Sequence, residues 1–269
     1  MEIALPDDPE YCSSCVIPTD WAEVPLLRKK RYSHDSSVFT FGLPRGQSLS
    51  LPVCACLLMR GFDAAGQEAV RPYTPTSSNA VQGSFDLLVK DYGDGTLSHR
   101  LCRTARVGDA VAFAHVPANV KAQAPFGVGT VAMIAGGTGI TPMIQAAHAV
   151  LGDPAGTTRV VLLYSSRTAD DVLGRELLDA WARRHPERFR VEYTLTREPA
   201  AASRRGWRGY SRGRISRAMV EAHVPKEDVL VLVCGPESMY ETFSGPRGEE
   251  ELGGLLADMG YSSEQVYKF

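Results

Sequence analysis

The apolar pattern of this chain changes character near residue 128, so one kind of sheet cannot house both halves. Upstream, short strand-like runs are separated by turn formers. Ser37-Val-Phe-Thr-Phe41 alternates, Phe85-Asp-Leu-Leu-Val-Lys90 does so more loosely, and residues 51–59 form a longer apolar run. Val107-Gly-Asp-Ala-Val-Ala-Phe113 is a turn leading into a strand. Clusters of Gly, Pro, Asp and Ser at 43–46, 61–66, 74–83 and 92–95 lie between them. This spacing predicts an antiparallel barrel or sandwich, with a short helix over 98–105 that Ser98 would cap. Downstream, apolar runs at 128–135, 160–164, 189–196 and 229–233 alternate with helix-like stretches at 143–151 and 169–184. Continuous apolar strands between helices predict a parallel sheet covered on both faces. Two domains are therefore expected, 1–122 and 123–269, joined through a Pro- and Gly-containing stretch at 118–127.

Composition narrows the class. With 269 residues, 44% hydrophobic and 22% charged, the chain can build two ordinary cores. A net charge of -2 argues against a nucleic-acid binder held by phosphate neutralisation. No run reaches the roughly 18 apolar residues of a membrane span, and residues 1–9 are acidic, without the apolar core of a secretory signal. The cysteines Cys12, Cys15, Cys54, Cys56, Cys102 and Cys234 then read as reduced thiols of a cytoplasmic protein. Cys12-Ser-Ser-Cys15 is a lone pair without two further ligands at zinc spacing, so no metal site is expected. Cys54 and Cys56 would share one face of a strand and pack in the core.

Three segments carry chemistry. Gly136-Gly-Thr-Gly-Ile-Thr-Pro142 follows a buried strand. Its glycines allow a sharp turn and close approach of a ligand. Thr141 would cap the next helix, with Pro142 at its first position, and a helix start favours a phosphate. The same residues also suit a plain strand-to-helix turn. Cys234-Gly-Pro-Glu237 follows Val229-Leu-Val-Leu-Val233, at the sheet edge where open parallel sheets bind ligands; Cys234 reads either as a thiol facing that crevice or as a small buried hydrophobe. Arg71-Pro-Tyr-Thr-Pro-Thr-Ser77 offers a guanidinium for phosphate and an aromatic face for a planar ring, and Lys90 to Ser98 offers hydroxyls and a helix start. A Pro-rich turn and a solvated loop are the alternatives for these two.

In this order and at these intervals, the motifs Arg71-Pro-Tyr-Thr74, Gly95-Thr-Leu-Ser98, Gly136 to Pro142 and Cys234-Gly-Pro236 resemble the ferredoxin–NADP reductase superfamily. Within it the chain is similar to the NADH-cytochrome b5 reductases. That likeness rests on Tyr32-Ser-His-Asp-Ser-Ser37, Arg71-Pro-Tyr-Thr-Pro75, Met133-Ile-Ala-Gly-Gly137, Tyr193-Thr-Leu195 and Val266-Tyr-Lys-Phe269, and it runs from about Leu26 to the last residue.

The resemblance implies a Greek-key β-barrel that binds FAD, followed by an α/β nucleotide-binding domain, with the flavin between them. It implies a monomeric oxidoreductase that takes hydride from NADH, with NADPH as the alternative donor. Single electrons would pass to cytochrome b5 or another one-electron acceptor protein. A ferredoxin or oxygenase reductase and a non-catalytic dinucleotide-binding module are the rival readings. A membrane association would require an anchor ahead of this sequence.

Carried over residue by residue, Arg71 and Pro72 would hold the FAD phosphate, and Tyr73 and Thr74 the isoalloxazine and ribityl. Leu88, Lys90 and Tyr92 would lie on the strand beside the flavin, and Thr96, Leu97 and Ser98 would wrap the pyrophosphate. Gly137, Thr138 and Thr141 would line the nicotinamide nucleotide, Thr196 its adenosine ribose, and Cys234, Gly235 and Pro236 the nicotinamide. Phe269 would close the crevice. Hydride transfer needs no side-chain acid or base, so Cys234 and Thr141, the two positions nearest the chemistry, are given positioning roles.

The chain departs from the family pattern at several points. Ala114-His-Val-Pro-Ala-Asn119 replaces a Gly-Pro-x-Gly turn, and His115 reads as a loop residue. Glu237 replaces a second proline. Thr196 stands where NADH-specific members carry an acid, followed by Arg197, Arg204 and Arg205. Lys29-Lys30-Arg31 reads as a basic run just before the barrel, either a docking surface for an acidic haem protein or a solvated turn.

Overall fold

Upstream of residue 124 the strands at 36–42, 84–90 and 110–115 bury consecutive positions toward their ends, and the sheet they make curls around a core. The computed structural model describes residues 15–63, 65–93, 95–116, 124–199 and 209–269. Cys12, most of the predicted join, and Arg204 and Arg205 lie outside the described residues. Two compact units result, Ala4–Gln123 and Ala124–Phe269. The first contains β1 (Ala22–Arg31), β2 (Ser36–Gly42), β3 (Leu57–Phe62), β4 (Glu68–Tyr73), β5 (Ser84–Lys90), α1 (Leu97–Thr104) and β6 (Ala110–His115). The strand order is β4-β3-β6-β1-β2-β5, antiparallel throughout, with β6 returning between β3 and β1 in a Greek-key path.

The curl follows from two rings. Phe85 on β5 and Phe113 on β6 are three strands apart in the sheet order, about 14 Å in a flat sheet at ~4.8 Å per strand. Their ring centroids are 5.5 Å apart, edge to face. Phe41 completes the cluster, 4.8 Å from Phe113. With Leu26, Phe39, Leu57, Met59 and Leu87, all fully buried, these rings fill a half-barrel. Helix α1 closes one side: a Cβ on Gly61 of β3 would meet Leu97 Cδ1 at 2.6 Å.

The second unit is a parallel sheet between helices. Its elements are β7 (Thr130–Gly136), α2 (Ile140–Gly152), β8 (Arg159–Ser166), α3 (Arg175–Arg184), β9 (Phe189–Leu195), β10 (Tyr210–Arg212), α4 (Arg217–His223), β11 (Val229–Cys234), α5 (Glu237–Phe243), α6 (Gly254–Asp258) and β12 (Val266–Lys268). The order is β10-β9-β8-β7-β11-β12, every pair parallel. All of β7 is buried, as a strand covered on both faces must be. The chain runs outward from β7 to β10, then crosses back to β11 on the other side of β7. That reversal opens a crevice at the carboxyl ends of β7 and β11. No helix among the described residues is long and apolar enough to cross a membrane.

Several local expectations are corrected. The cap of α1 is Thr96, whose hydroxyl accepts from His99 N; Ser98 lies inside the first turn. Helix α2 starts at Ile140 after Gly139, so Thr141 does not cap it; its hydroxyl instead donates to Thr138 O at 3.2 Å. Pro142 is tolerated two positions further in than expected, because first-turn N–H groups have no intrahelical acceptor to lose. The run at 51–59 becomes a strand only from Leu57, since Cys54 takes a left-handed φ of 66°. The helix expected over 169–184 is interrupted at Gly174, left-handed at φ 73°, and starts at Arg175. Lys29, Lys30 and Arg31 do not precede the barrel: they end β1, where Lys29 Nζ donates to Ala105 O at 3.2 Å. Tyr92 lies beyond the end of β5.

Candidate functional site

In the first unit the predicted FAD residues gather at the ends of the two edge strands and at the start of α1. Arg71, Pro72 and Tyr73 end β4, and Lys90 ends β5, with Leu88 buried earlier on that strand. Arg71 is exposed, its Nη1 donating to Val70 O at 2.8 Å, so most of the guanidinium fork faces outward. Burial lifts the Tyr73 phenol above its ordinary value, and Cys102 and Tyr92 nearby add to the shift. The curl thus brings the end of β4 toward the loop after β5. Thr74 is half-buried and Tyr92 exposed.

Lys90 is 6% exposed and its Nζ lies 2.7 Å from Asp35 Oδ2. Burial works to raise the Asp35 carboxyl; Lys90, then Ser36 and Ser33, outweigh it and hold the group below the usual carboxylate range. A second carboxylate, Asp91, organises the helix start. It accepts from Gly93 N at 3.0 Å, pairs with His99 Nδ1 at 2.8 Å, and takes Arg103 Nε at 3.0 Å. Burial opposes its charge, and Gly93, His99 and Arg103 override that, leaving the carboxyl below its ordinary value. Thr96 Oγ1 lies 3.1 Å from Ser98 Oγ and donates to Gly93 O at 3.0 Å. The N–H groups of Leu97 and Ser98 open the helix and have no intrahelical acceptor. Beside them, Gly93 and Gly95 are left-handed, with open space where a side chain would stand. A helix start with free N–H groups and open glycine backbone beside it suits an anionic, oxygen-rich group.

In the second unit the two glycine motifs meet at the crevice. Ala135 pairs with Cys234 in the β7–β11 register. A Cβ on Gly136 would stand 2.8 Å from Met239 Cε, and one on Gly235 2.6 Å from Met239 Sδ. Gly137 is left-handed at φ 55°, with nothing within 4 Å of where its side chain would be. Tyr164 Oη donates to Gly137 O at 2.9 Å and accepts from Leu173 N at 3.2 Å, which fixes the loop from below. Thr138 and Cys234 are half-buried, Thr141 is buried, and Pro236 is exposed. Ser166, at the carboxyl end of β8, has a buried hydroxyl with no hydrogen-bond partner among the described residues. An open glycine cradle and an orphaned hydroxyl on one sheet edge fit a dinucleotide.

Thr196 is exposed at the end of β9 and donates to Ser166 O at 3.3 Å. Arg167 and Arg197, also exposed, follow β8 and β9 in adjacent loops, joined by Arg197 N donating to Arg167 O at 2.7 Å. Phe269 lies beside β11: its N donates to Val233 O at 3.1 Å, and its main-chain oxygen accepts from Tyr240 Oη at 2.7 Å. His115 is buried, and its ring bonds the main-chain oxygen of Ile17, so it is a core histidine and not a loop residue. Sequence reasoning missed Asp35, Asp91, Ser166 and Tyr240. Asp35, within the Tyr32–Ser37 motif, and Asp91, within the Lys90–Ser98 segment, carried a sequence signal; Ser166 and Tyr240 carried none.

Comparisons with known proteins agree with this division. Residues 23–117 match the family model of an oxidoreductase FAD-binding domain, and residues 133–244 that of an oxidoreductase NAD-binding domain. The chain is 34% identical over 258 residues to NADH-cytochrome b5 reductase 1 of Arabidopsis thaliana, covering 95% of this chain and 86% of that one. It is 34% identical over 257 residues to NADH-cytochrome b5 reductase 2-A of Vanderwaltozyma polyspora, covering 93% and 84%. Among solved structures it is similar to the cytochrome b5 reductase domain of Ulva prolifera nitrate reductase, with a TM-score of 0.71, 31% identity, and 83% and 90% coverage.

Proposed function

This chain belongs to the NADH-cytochrome b5 reductase family, and from that premise we propose that it oxidises NADH through bound FAD and delivers single electrons to cytochrome b5. When bound, FAD supplies the redox chemistry, accepting an electron pair from the nicotinamide and releasing electrons singly; the protein supplies position and electrostatics. The observation that carries the reading is the meeting of two glycine motifs, Gly136–Gly139 and Cys234-Gly235, at the one crevice where the sheet order reverses.

In this reading Arg71 pairs with an FAD phosphate as a guanidinium fork, and Pro72 fixes the strand end that presents it. Thr96, Leu97 and Ser98 bind the pyrophosphate at the start of α1. Tyr73, Thr74, Leu88, Lys90 and Tyr92 contact the flavin and ribityl. Gly137, Thr138 and Thr141 hold the nicotinamide nucleotide, Thr196 its adenosine ribose, and Cys234, Gly235, Pro236 and Phe269 border the nicotinamide. Cys234 orients the ring and forms no covalent bond.

The deciding experiment is direct. Purified protein should be yellow with flavin absorbance, and NADH should reduce cytochrome b5 and ferricyanide in its presence. Reduction of a plant-type ferredoxin in preference to cytochrome b5 would move the acceptor to the rival reading. A colourless protein that binds NADH without oxidising it, even after FAD is added, would replace the enzyme with a binding module.

A further inference from the structure

Strand β12 is three residues long and lies at the edge of the parallel sheet, against β11. So short an edge strand frays unless something else fastens it. Phe269, which follows it, donates its N–H to Val233 O at 3.1 Å, and its main-chain oxygen accepts from Tyr240 Oη at 2.7 Å. The residue before it, Lys268, is half-buried and ties the strand to the connection between α5 and α6. Its Nζ donates to Ser244 O at 3.3 Å, Pro246 O at 3.0 Å and Glu251 O at 3.1 Å. An ammonium has three N–H groups and no acceptor, so three converging main-chain carbonyls use all of them. The connection is shaped to present these oxygens. Gly245 is left-handed at φ 78° and turns the chain back, and Gly253 N donates to Ser244 O at 3.1 Å, which closes the loop on itself. The site also lies at the carboxyl end of α5, where the helix dipole favours a cation. Helix α5 has no basic residue in its own last turn. Lys268 brings that charge from 24 residues away.

We infer that residues 244–251 form a carbonyl cage for an ammonium ion, that Lys268 fills it from within the chain, and that this anchor sets the place of Phe269, which makes Lys268 a positioning residue. The cage stands on its own geometry. Its effect on turnover rests on the reading above, in which Phe269 borders the nicotinamide.

The test uses Lys268→Ala in the full, FAD-loaded chain, which empties the cage. Methylammonium chloride is the probe that refills it. Tetramethylammonium chloride at equal ionic strength is the control, since it has the charge but no N–H to give. The variant should melt about 3–6 °C below the parent. Methylammonium should recover at least half of that loss and tetramethylammonium none, while the parent responds alike to both salts. The second readout is NADH oxidation with ferricyanide. Here kcat should fall at least about fivefold while the NADH KM stays within about twofold, the mark of misplacement at the reacting centre and not of weaker binding. FAD content should not change, and methylammonium should return kcat toward the parent. Lys268→Met, which keeps the aliphatic stem in place, should show the same losses without the rescue. Recovery of melting temperature in a variant whose kcat equals the parent's would uphold the cage and sink the placement of Phe269 beside the nicotinamide. A melting temperature of Lys268→Ala that moves alike in both salts would overturn the cage. Should that variant fail to fold, refolding yield in the two salts replaces melting temperature, and equal yields overturn the cage in the same way.

Discussion

A Cβ built on Gly139 would stand 2.1 Å from the main-chain oxygen of Cys234 and 2.8 Å from Gly235 N. Both obstacles are backbone, so neither can swing aside as a side chain would. Gly139 has an ordinary helical φ of -61°, which alanine adopts without strain, so the effect of Gly139→Ala is purely steric. It must push the two crevice loops apart. The expected result is an NADH kcat/KM at least about tenfold lower, because a shift of ~1 Å near a reacting centre is costly. The melting temperature should fall and the FAD content stay intact. Gly152→Ala, where nothing lies within 4 Å, is the control; it should change stability by less than about 1 kcal/mol, in the stabilising direction. Equal behaviour of the two variants would show that the loops are not locked.

Arg71 presents an outward-facing guanidinium one strand-end away from a half-buried tyrosine. A charge-assisted pair with phosphate is worth about 1.5–3 kcal/mol. Arg71→Ala should therefore weaken FAD binding by roughly 10- to 150-fold and purify with less flavin, while the second unit still binds NADH. Flavin content and FAD affinity equal to the parent would remove Arg71 from the phosphate site.

The Asp35–Lys90 pair sets a pH dependence with a definite sign. The Asp35 carboxyl is held below its ordinary value in the folded state. Its contribution is thus fully present above the usual carboxylate pKa of about 3.9 and is lost as pH falls through the lower folded value. Asp35→Asn leaves the Lys90 ammonium, 6% exposed, without its anion. The cost at pH 7 should be about 1–3 kcal/mol, less than for a fully buried pair because Asp35 retains contact with water. Melting curves at pH 7 and pH 3 test it: the gap between parent and variant should narrow at the lower pH. A constant gap would mean that the ion pair is not its source.

The sequence pattern reads the interior better than the edges. The alternation around Phe39 and Phe41 was legible although Phe39, Thr40 and Phe41 are all buried, and the unbroken apolar run of β7 was legible because a strand covered on both faces buries every position. Strand β1 was not, since Val24 and Leu26 are its only fully buried residues and its second half is basic. Strand β4 holds Pro72 and two exposed positions before Tyr73, a composition that reads as a turn but is permitted at a sheet edge. At the candidate site, the glycine motifs were legible because close backbone approach leaves glycine no substitute. The roles of Asp91 and Tyr240 were not, because they come from partners that topology alone brings to them. Asp91 reaches forward to His99 and Arg103 across a turn, and Tyr240 meets Phe269 only because β12 lies beside β11.

In the proposed reading, the choice of nicotinamide cofactor is made at the carboxyl ends of β8 and β9. Ser166 pairs with Leu195 in their register, so the next residues, Arg167 and Thr196, emerge side by side, with Arg197 following. All three are exposed. Where NADH-specific relatives carry an acid, Thr196 offers a hydroxyl, already within 3.3 Å of Ser166 O. An acid there accepts from free ribose hydroxyls and repels a 2′-phosphate. A threonine hydroxyl can still accept from a ribose hydroxyl but carries no charge to repel the phosphate, and the two guanidinium groups beside it can pair with phosphate. Removing one repulsion and adding one charged hydrogen bond is worth about 2–3 kcal/mol, or ~30- to 150-fold in relative use. The parent should therefore use NADPH and NADH with comparable kcat/KM when ferricyanide is the acceptor. Thr196→Asp should swing toward NADH by at least about 30-fold, and Arg167→Ala should lower NADPH use while sparing NADH. A parent preference for NADH above about 100-fold, ~2.7 kcal/mol, would show that the ribose is read elsewhere and that the arginines serve only as a solvated edge.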